Sequence, residues 1–178
     1  WRLILLIKSK NKKLLGVINL SNINYQRLTC EVAYVCPVKS KTARYAPLEA
    51  LALITQHAFD NLNMCVVSAG HAYPGLMSWI KKTETVGYKT NGFFPQNGSI
   101  GSTLFDAVWT SITRKRYHSL VQRRGGKLWP GEAVIAKIMI ALQDSTPLSE
   151  IVASQIKSAH LEHDKLMENI HLDHFEHS

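Results

Sequence analysis

Blocks of apolar residues separated by polar turns run through the first third of the chain, and their lengths predict strands. Two apolar runs, at residues 1–7 and 14–23, flank the polar turn at 9–13 and together predict a hairpin. A third run, CEVAYVCPV at 30–38, follows a second turn and is stopped by Pro37, which has no N–H for a strand ladder. The chain is therefore expected to begin with three consecutive strands.

Helical spacing and another strand-like run follow in the middle of the chain. Pro47 and Glu49 suit the first turn of a helix, and an apolar stripe continues from that turn. Its members are Leu48, Leu51, Ala52, Thr55, Ala58, Phe59 and Leu62. The continuous apolar run MCVVSAG at 64–70 predicts a central strand buried on both faces. A second helix is expected over 76–86.

A hairpin is predicted next, from strand-like segments at 93–94 and 104–112. The turn residues Asn97-Gly98 and Gly101 lie between the two segments, as a hairpin loop requires. The hairpin would add two strands to the sheet.

A basic segment and two helices are predicted in the C-terminal third. Residues 114–127 and 8–13 carry much of the net charge of +8. Such patches attract nucleic acid, acidic proteins or phosphates, and a solvated surface is the alternative. Helices at 132–142 and 148–175 predict a helical hairpin, which packs on the domain or pairs with a second copy or another protein.

Composition limits the class of protein. The 178 residues suit one domain, or one domain with an appendage, and the apolar fraction of 46% excludes general disorder. No apolar run approaches the roughly 18 residues needed to span a bilayer. The three cysteines lie in apolar, strand-like surroundings and fit buried thiols in a reducing compartment. We therefore expect a cytoplasmic protein.

A phosphate-binding site is predicted where the third strand leads into the first helix. The connecting loop carries Lys39, Lys41 and Arg44. Backbone N–H groups and the positive end of the helix would surround the same small volume, and both favour anions. The segment therefore predicts a phosphorylated ligand, in particular a cofactor.

The order of these elements, together with four short motifs, resembles the GCN5-related N-acetyltransferases. The motifs are LGVINL at 15–20, EVAY at 31–34, LEAL at 48–51 and GYKTNG at 87–92, the last matching the family's G-[FY]-x-x-x-G. Within the family the chain looks most like the subgroup that acetylates ribosomal-protein N-termini. The resemblance implies an α/β (α+β) fold with a mixed, mostly antiparallel central sheet, flanking helices and a C-terminal helical extension.

The resemblance covers roughly residues 3–117. It implies an acyltransferase domain over 1–117 that lacks the family's first strand and two helices, which normally form one wall of the acceptor site. Either a partner supplies that wall, or the chain is a fragment, or nothing is acetylated. Residues 118–178 would form the basic segment and the helical hairpin.

The resemblance also implies where acetyl-CoA, or another acyl-CoA, would bind. Its pantetheine arm would pair with 33–38, and its pyrophosphate would lie on the loop 39–46. The implied cofactor-binding residues are Ala33, Tyr34, Val35, Val38, Lys39, Lys41, Thr42, Ala43, Arg44, Tyr45, Ala46 and His71. The loop lacks the glycines of the family's Q/R-x-x-G-x-G/A pattern. Three alternatives follow. The small residues of the loop still let its backbone approach the pyrophosphate closely, or a wider loop binds the pyrophosphate with side-chain cations, or the cofactor site no longer works.

Catalysis in such a protein would be direct attack of an amine on the thioester, with a base and an acid. Glu31 matches the family's strand glutamate and would be the base, or else a structural carboxylate paired with a cation. The usual tyrosine acid is replaced by Thr83, a poor acid. Ser78 and Tyr73 are the candidate acids, with capping or packing as the alternative role.

The tail histidines are predicted to be solvated rather than metal-bound. They have helical spacing, but no cysteine or tight set of carboxylates accompanies them. The residues are His160, His163, His171, His174 and His177.

Three functions remain open from the sequence. The first is an N-acetyltransferase with an unidentified amine acceptor. The second is a relative that modifies nucleic acid, either aminoacyl-tRNA or a DNA base, through basic residues. These are Arg114, Lys115, Arg116, Arg123, Arg124 and Lys127. The third is a non-catalytic binding or assembly module that uses the C-terminal helices.

Overall fold

Six strands form one sheet in the structure, a computed structural model that describes residues 2–36, 44–142 and 144–175. In chain order the strands are β1 (Leu3–Lys8), β2 (Leu14–Asn24), β3 (Thr29–Val35), β4 (Val66–Tyr73), β5 (Lys89–Ile100) and β6 (Thr103–Thr113). They lie in the order β1-β2-β3-β4-β6-β5, with β3 and β4 parallel and the other neighbours antiparallel. The predicted mixed, mostly antiparallel sheet is confirmed.

Five helices are described around this sheet. They are α1 (Ala46–Asp60), α2 (Met77–Val86), α3 (Arg114–Arg123), α4 (Glu132–Ala141) and α5 (Leu148–Phe175). Helix α1 begins as predicted, with a proline in its first turn and Glu49 near its positive end. Its apolar stripe is buried, since Leu51 exposes 2% of its surface and Ala58 none. The α/β fold class is confirmed.

The helices bury one face of the sheet, which we call the core face. Leu20, Val32 and Val67, from three successive strands of the sheet, lie in one hydrophobic core. Leu51 of α1 and Ile135 of α4 pack into the same core from the helical side. Burial of these apolar surfaces is the main contribution to the stability of the domain.

The opposite face of the sheet, which we call the open face, carries the residues that alternate with the buried ones. Glu31 and Ala33 of β3, Ser68 and Gly70 of β4, and Trp109 of β6 belong to it. Several large apolar side chains on the open face are exposed, namely Ile4, Leu6, Val35 and Phe94. This face is therefore accessible in the described part of the chain.

The expectation that β4 is buried on both faces is wrong. Val67 and Ala69 are buried on the core face, whereas Gly70 is exposed on the open face. The burial alternates because the helices pack on the core face, so β4 behaves as a half-buried strand despite its continuous apolar sequence.

The β5–β6 hairpin is confirmed, but its turn lies further along the chain than expected. Strand β5 continues to Ile100, and Asn97-Gly98 lies within it. The turn is at Gly101, whose φ of +61° suits glycine. A register shift between Phe94 and Gly98 takes up the extra residues as a bulge.

The C-terminal helices pack on the domain near their starts. Ile135 of α4 is fully buried, and Ala153 of α5 packs in a cluster with Phe93 of β5. An ion pair between Lys157 and Asp106, with Nζ 3.2 Å from Oδ2, attaches α5 to β6. The division into domains at 117/118 stays a prediction. No helix in the described part of the chain combines the length and apolarity that a membrane span needs.

Candidate active site

Strands β3 and β4 separate at one end of their parallel pairing and leave a cavity between them. The last pair of the ladder is Glu31 with Ser68. A cavity of about 300 Å³, which we call the interstrand cavity, lies beyond that pair. Its strand walls are formed by the residues that follow on each strand, Val32, Ala33, Tyr34, Ala69, Gly70 and His71. The separation places backbone and side chains of both strands around one ligand-sized space.

Helix α2 forms a further wall of the interstrand cavity. The Trp79 ring packs on the Tyr34 ring with their centres 4.4 Å apart, which fixes both aromatic side chains. The buried Thr83 lines the same cavity, and its hydroxyl donates to the carbonyl of Ile80 at 2.8 Å. The Thr83 hydroxyl proton is therefore used in a hydrogen bond within α2, which agrees with the expectation that Thr83 is a poor acid.

Two tyrosines line the interstrand cavity as neutral hydroxyl groups. The Tyr88 Oη lies 2.7 Å from the Thr55 Oγ1, and both side chains are almost fully buried. Burial raises the pKa of Tyr88 and of Tyr34 well above the ordinary tyrosine value, so both stay protonated at neutral pH. Sequence reasoning gave Tyr88 no role, although its place in the GYKTNG motif was a signal.

His71, predicted to contact the cofactor, lines the cavity as a neutral imidazole. Its side chain is buried, and burial lowers its pKa to about 4. The His71 Nε2 lies 3.1 Å from the Thr110 Oγ1, and that hydroxyl also donates to the carbonyl of Ala69 at 3.4 Å. Because a hydroxyl has one proton, His71 Nε2 is the donor in this arrangement, which leaves Nδ1 as an acceptor.

Glu31 lies on the open face at the last rung of the parallel ladder, next to the interstrand cavity. Its Oε2 accepts a hydrogen bond of 2.8 Å from the Asn22 side-chain amide. Asn22 sits where the β2–β3 register shifts, with a φ of +49° that asparagine tolerates. Among the described residues Glu31 has no ion-pair partner, and its role as a base or as a structural carboxylate stays a prediction.

The two candidate acids lie away from the interstrand cavity. Ser78 is exposed near the start of α2 and faces a different cavity. Tyr73 packs edge-on against the Phe93 ring at 5.3 Å, and the Lys157 ammonium lies 5.4 Å from the centre of the Tyr73 ring. These contacts favour packing for Tyr73, and a catalytic role for either residue stays a prediction.

Two further cavities lead from the interstrand cavity past the start of α1, each sharing lining residues with the one before it. The first, of about 200 Å³, shares Tyr34 and Trp79 with it. The second, of about 530 Å³, shares Arg44, Tyr45 and Lys82 with the first, and we call it the outer cavity. Its apolar wall comes from α4 and includes Ala136, Met139 and Ile140. Because successive cavities share lining residues, the three adjoin in a row from the strands towards α4, and we call this row the path of cavities.

Side-chain cations rather than the end of α1 give the outer cavity its positive charge. Arg44 and Lys82 line it, and no carboxylate does so in the part of the chain that the structure describes. Pro47 has no N–H, and the Leu48 N–H is bonded to the carbonyl of Tyr45 at 2.9 Å. The start of α1 therefore has few free donors for an anion, and residues 39–43 of the predicted phosphate-binding loop lie outside the described residues.

The predicted cofactor-binding residues divide into three groups. Ala33, Tyr34, Arg44, Tyr45 and His71 line the path of three cavities. Val35, exposed on the open face, and Ala46, at the start of α1, are not among the residues that line these cavities. The remaining predicted residues lie outside the described residues: Val38, Lys39, Lys41, Thr42 and Ala43.

Three of the predicted nucleic-acid-binding residues hold the fold together. The Arg114 guanidinium donates twice to the carbonyl of Met64, at 2.9 and 2.6 Å. Arg116 and Arg124 likewise donate to backbone carbonyls, and burial lowers the pKa of both groups. The other three residues are exposed: Lys115, Arg123 and Lys127.

No group of three metal-ligating side chains is present among the described residues. His160 and His163 of α5 are exposed, and the side chains of His171, His174 and His177 lie outside the description.

Comparisons with known proteins identify the fold. Neither the models of known protein families nor the curated proteins gave a match to the sequence. Among solved structures, a chimera of the spermidine N-acetyltransferase SpeG from Vibrio cholerae and hSSAT matches with a TM-score of 0.60 and 17% identity, over 66% of this chain and 72% of that chain. A structure described as a probable acetyltransferase matches with a TM-score of 0.54 and 20% identity, over 59% of this chain and 58% of its own.

A dodecameric structure of the spermidine N-acetyltransferase from Vibrio cholerae also matches, with a TM-score of 0.59 and 17% identity, over 65% of this chain and 67% of that chain. At these identities the likeness shows the fold and not the activity. The resemblance to the ribosomal-protein subgroup stays a prediction. The chain has the fold of the GCN5-related N-acetyltransferases.

Proposed function

We propose that the protein is an acyl-CoA-dependent N-acyltransferase, which transfers an acetyl group from acetyl-CoA to an amine. The observation that carries this proposal is the path of three cavities that begins beside the Glu31–Ser68 pair and ends in the cationic outer cavity. An elongated ligand with a phosphorylated end fits such a path. The fold shared with acetyltransferases supports the same activity.

The residues along the path match the chemistry of coenzyme A. The interstrand cavity is lined by apolar residues such as Val32 and Ala69, which suit the thin pantetheine arm. Arg44 and Lys82 would hold phosphate groups, and the apolar wall from α4 would cover the adenine ring. When bound, acetyl-CoA supplies an acyl group activated as a thioester.

Glu31 would accept the proton that the acceptor amine loses as its nitrogen attacks. The carboxylate lies on the open face, whereas the path of cavities lies on the helical side, so amine and acyl donor would meet from opposite sides of the sheet. Asn22 holds Oε2 and leaves the other carboxylate oxygen without a partner among the described residues. That oxygen is available to the amine or to a water between them.

Calorimetric titration with coenzyme A tests the proposal. We expect binding that weakens about tenfold or more when Arg44 and Lys82 are both changed to alanine, because each cation contributes to phosphate binding. Lys10→Ala, an exposed position in the β1–β2 turn, is the matched control. Absence of binding at millimolar coenzyme A would overturn the proposal.

Self-association is the second property to test. One similar structure is dodecameric, and Leu161 and Leu166 of α5 are more than half exposed. We propose that the exposed part of α5 contributes to an assembly of several copies. Light scattering at micromolar concentration measures the mass directly, and a monomer would contradict this proposal.

A further inference from the structure

A basic pocket lies on the open face where β5 and β6 meet the start of α3. Its volume is about 380 Å³. Four cations line it, Lys89, Lys115, Arg116 and Arg123, together with four uncharged polar side chains. The uncharged residues are Asn91, Ser111, Thr113 and Ser119. The pocket shares no lining residue with the path of cavities that would hold coenzyme A.

The positive charge of the basic pocket is uncompensated in the described chain. No carboxylate lines the pocket, and none of its four cations forms an ion pair with a described residue. Arg116 is anchored by a bond from its Nε to the carbonyl of Gly87, at 2.5 Å, so it is held in place close to Arg123. Burial and the nearby Arg123 charge lower the pKa of Arg116. An anion in the pocket would remove this repulsion.

The donors of the pocket suit a phosphate group. Guanidinium and ammonium groups combined with hydroxyls are the donors that proteins use for phosphate oxygens. The polar side chains are already partly ordered, since Asn91 donates to the Ser111 hydroxyl at 3.1 Å and Thr113 caps α3. Four cations around one small pocket favour a doubly charged phosphate over a carboxylate.

A polar row connects this pocket to Glu31 across the open face. Glu31 is paired with Ser68, Ser68 with Ser111, and Ser111 with Lys89. Neighbouring strands lie about 4.8 Å apart, so Ser111 is about 10 Å and Lys89 about 14 Å from Glu31 along the row. The carboxylate and the basic pocket therefore face the same solvent side, within the length of one small molecule.

We propose that the basic pocket binds a phosphate group of the acyl acceptor, and that the acceptor is a small phosphorylated amine. Its amine and its phosphate would be about 10–14 Å apart, as the strand spacing requires. The inference rests on the proposed N-acyltransferase activity. It disfavours a polyamine such as the spermidine named for the similar structures, because an all-cationic molecule is repelled by the pocket.

A small molecule fits the charges better than nucleic acid does. Near the pocket, the guanidinium groups of Arg114 and Arg124 donate to backbone carbonyls of the protein. Few other cations there are then available to bind the phosphate backbone of a nucleic acid. A nucleic acid needs a track of cations, whereas the basic pocket is one compact group.

The first measurement is phosphate binding to the protein saturated with coenzyme A, so that the cofactor's own phosphate sites are filled. Inorganic phosphate is titrated and followed by protein NMR. We expect shifts centred on the basic pocket, lost in Lys115→Gln/Arg123→Gln and retained in Lys127→Gln, an exposed position outside the pocket. Phosphate shifts that are unchanged in the double variant would overturn the inference.

The second measurement compares acetylation of 6-aminohexyl phosphate and 6-aminohexanol, detected by thiol release from acetyl-CoA. We expect kcat/KM to favour the phosphate about tenfold or more, with the preference lost in the double variant through a higher KM. Equal rates for both amines would overturn the inference and leave the proposed function intact. Tighter binding of tRNA than of phosphate, lost in the same variant, would overturn the small-molecule acceptor. Failure to bind coenzyme A would overturn both proposals.

Discussion

Glu31 and Ser68 are the last paired residues of the only parallel ladder among the described strands, and the two strands separate directly beyond them. The carboxylate is thereby fixed at the point where the interstrand cavity begins. A ladder one pair longer would close the start of the cavity, and a shorter one would leave Glu31 paired with β2 alone. The position of the proposed base thus depends on where one strand pairing stops.

Replacing Glu31 with glutamine is expected to slow acyl transfer about 100-fold or more, because a positioned base contributes rate enhancements of that order. Coenzyme A binding should change less than about twofold, since Glu31 does not line the path of cavities. Steady-state kinetics and calorimetry check the two expectations. Glu162→Gln, at an exposed position of α5, is the control. An unchanged rate would remove Glu31 from the mechanism.

Asn22 positions the proposed base, so Asn22→Gly should lower kcat about tenfold with little change in KM. Glycine is chosen because it accepts the φ of +49° at this position without strain. The hydrogen bond to Glu31 is lost, so the carboxylate is held less precisely, and Asn22→Gly should have no further effect on kcat in a Glu31→Gln background. A structural role alone would lower stability and reduce kcat equally in both backgrounds.

The burial of His71 predicts a stability that falls in acid. Its pKa is about 4 in the folded protein and near 6.5 when unfolded, so the unfolded state binds more protons between these pH values. Stability is therefore lost as pH falls from 6.5 to 4, by about 3 kcal/mol in total. Denaturant unfolding of His71→Asn at several pH values should show a smaller loss over this window. If stability falls with pH by the same amount in the unmodified protein and in His71→Asn, the loss does not come from His71.

The Thr55–Tyr88 hydrogen bond should be revealed by a double-mutant cycle. Thr55→Val leaves the buried Tyr88 hydroxyl without its partner at 2.7 Å, which costs about 1–3 kcal/mol of unfolding free energy. Tyr88→Phe should cost a similar amount. The double variant should lose less than the sum, because no buried hydroxyl is then left unpaired. Strict additivity in denaturant unfolding would show that the two hydroxyls are not coupled.

Elements with strong local signals were predictable from the sequence. Helix α1 has a proline and an acidic residue in its first turn and a long apolar stripe, and its bounds are close to those expected. The position of the β5–β6 turn was less predictable. Asn97-Gly98 is a favourable turn sequence, but in the structure it lies within β5, at the bulge between Phe94 and Gly98. There the Gln96 N–H donates to the Asp106 carboxylate at 3.1 Å, a contact that depends on the partner strand.

The charge of the basic segment does not reveal which groups its side chains contact in the folded protein. Its sequence indicates a cationic surface, but the partners of Arg114 and Arg116 are backbone carbonyls 50 and 29 residues away along the chain. The basic pocket was equally hidden, because Lys89 and Ser111 meet the α3 cations only through strand register. Site residues on one strand, such as Glu31, could be proposed from a motif, whereas their surroundings could not.

The charge layout of the open face also has a kinetic consequence. Glu31 lies at one end of the polar row and the cations around Lys89 at the other, so the face has a local field directed along the row. A zwitterion that approaches this face is rotated before contact, with its negative end towards Lys89. Alignment of this kind raises the association rate constant more than it lowers the dissociation rate constant. Ionic strength should then act mainly on the association rate constant of an acceptor, and only weakly on its residence time.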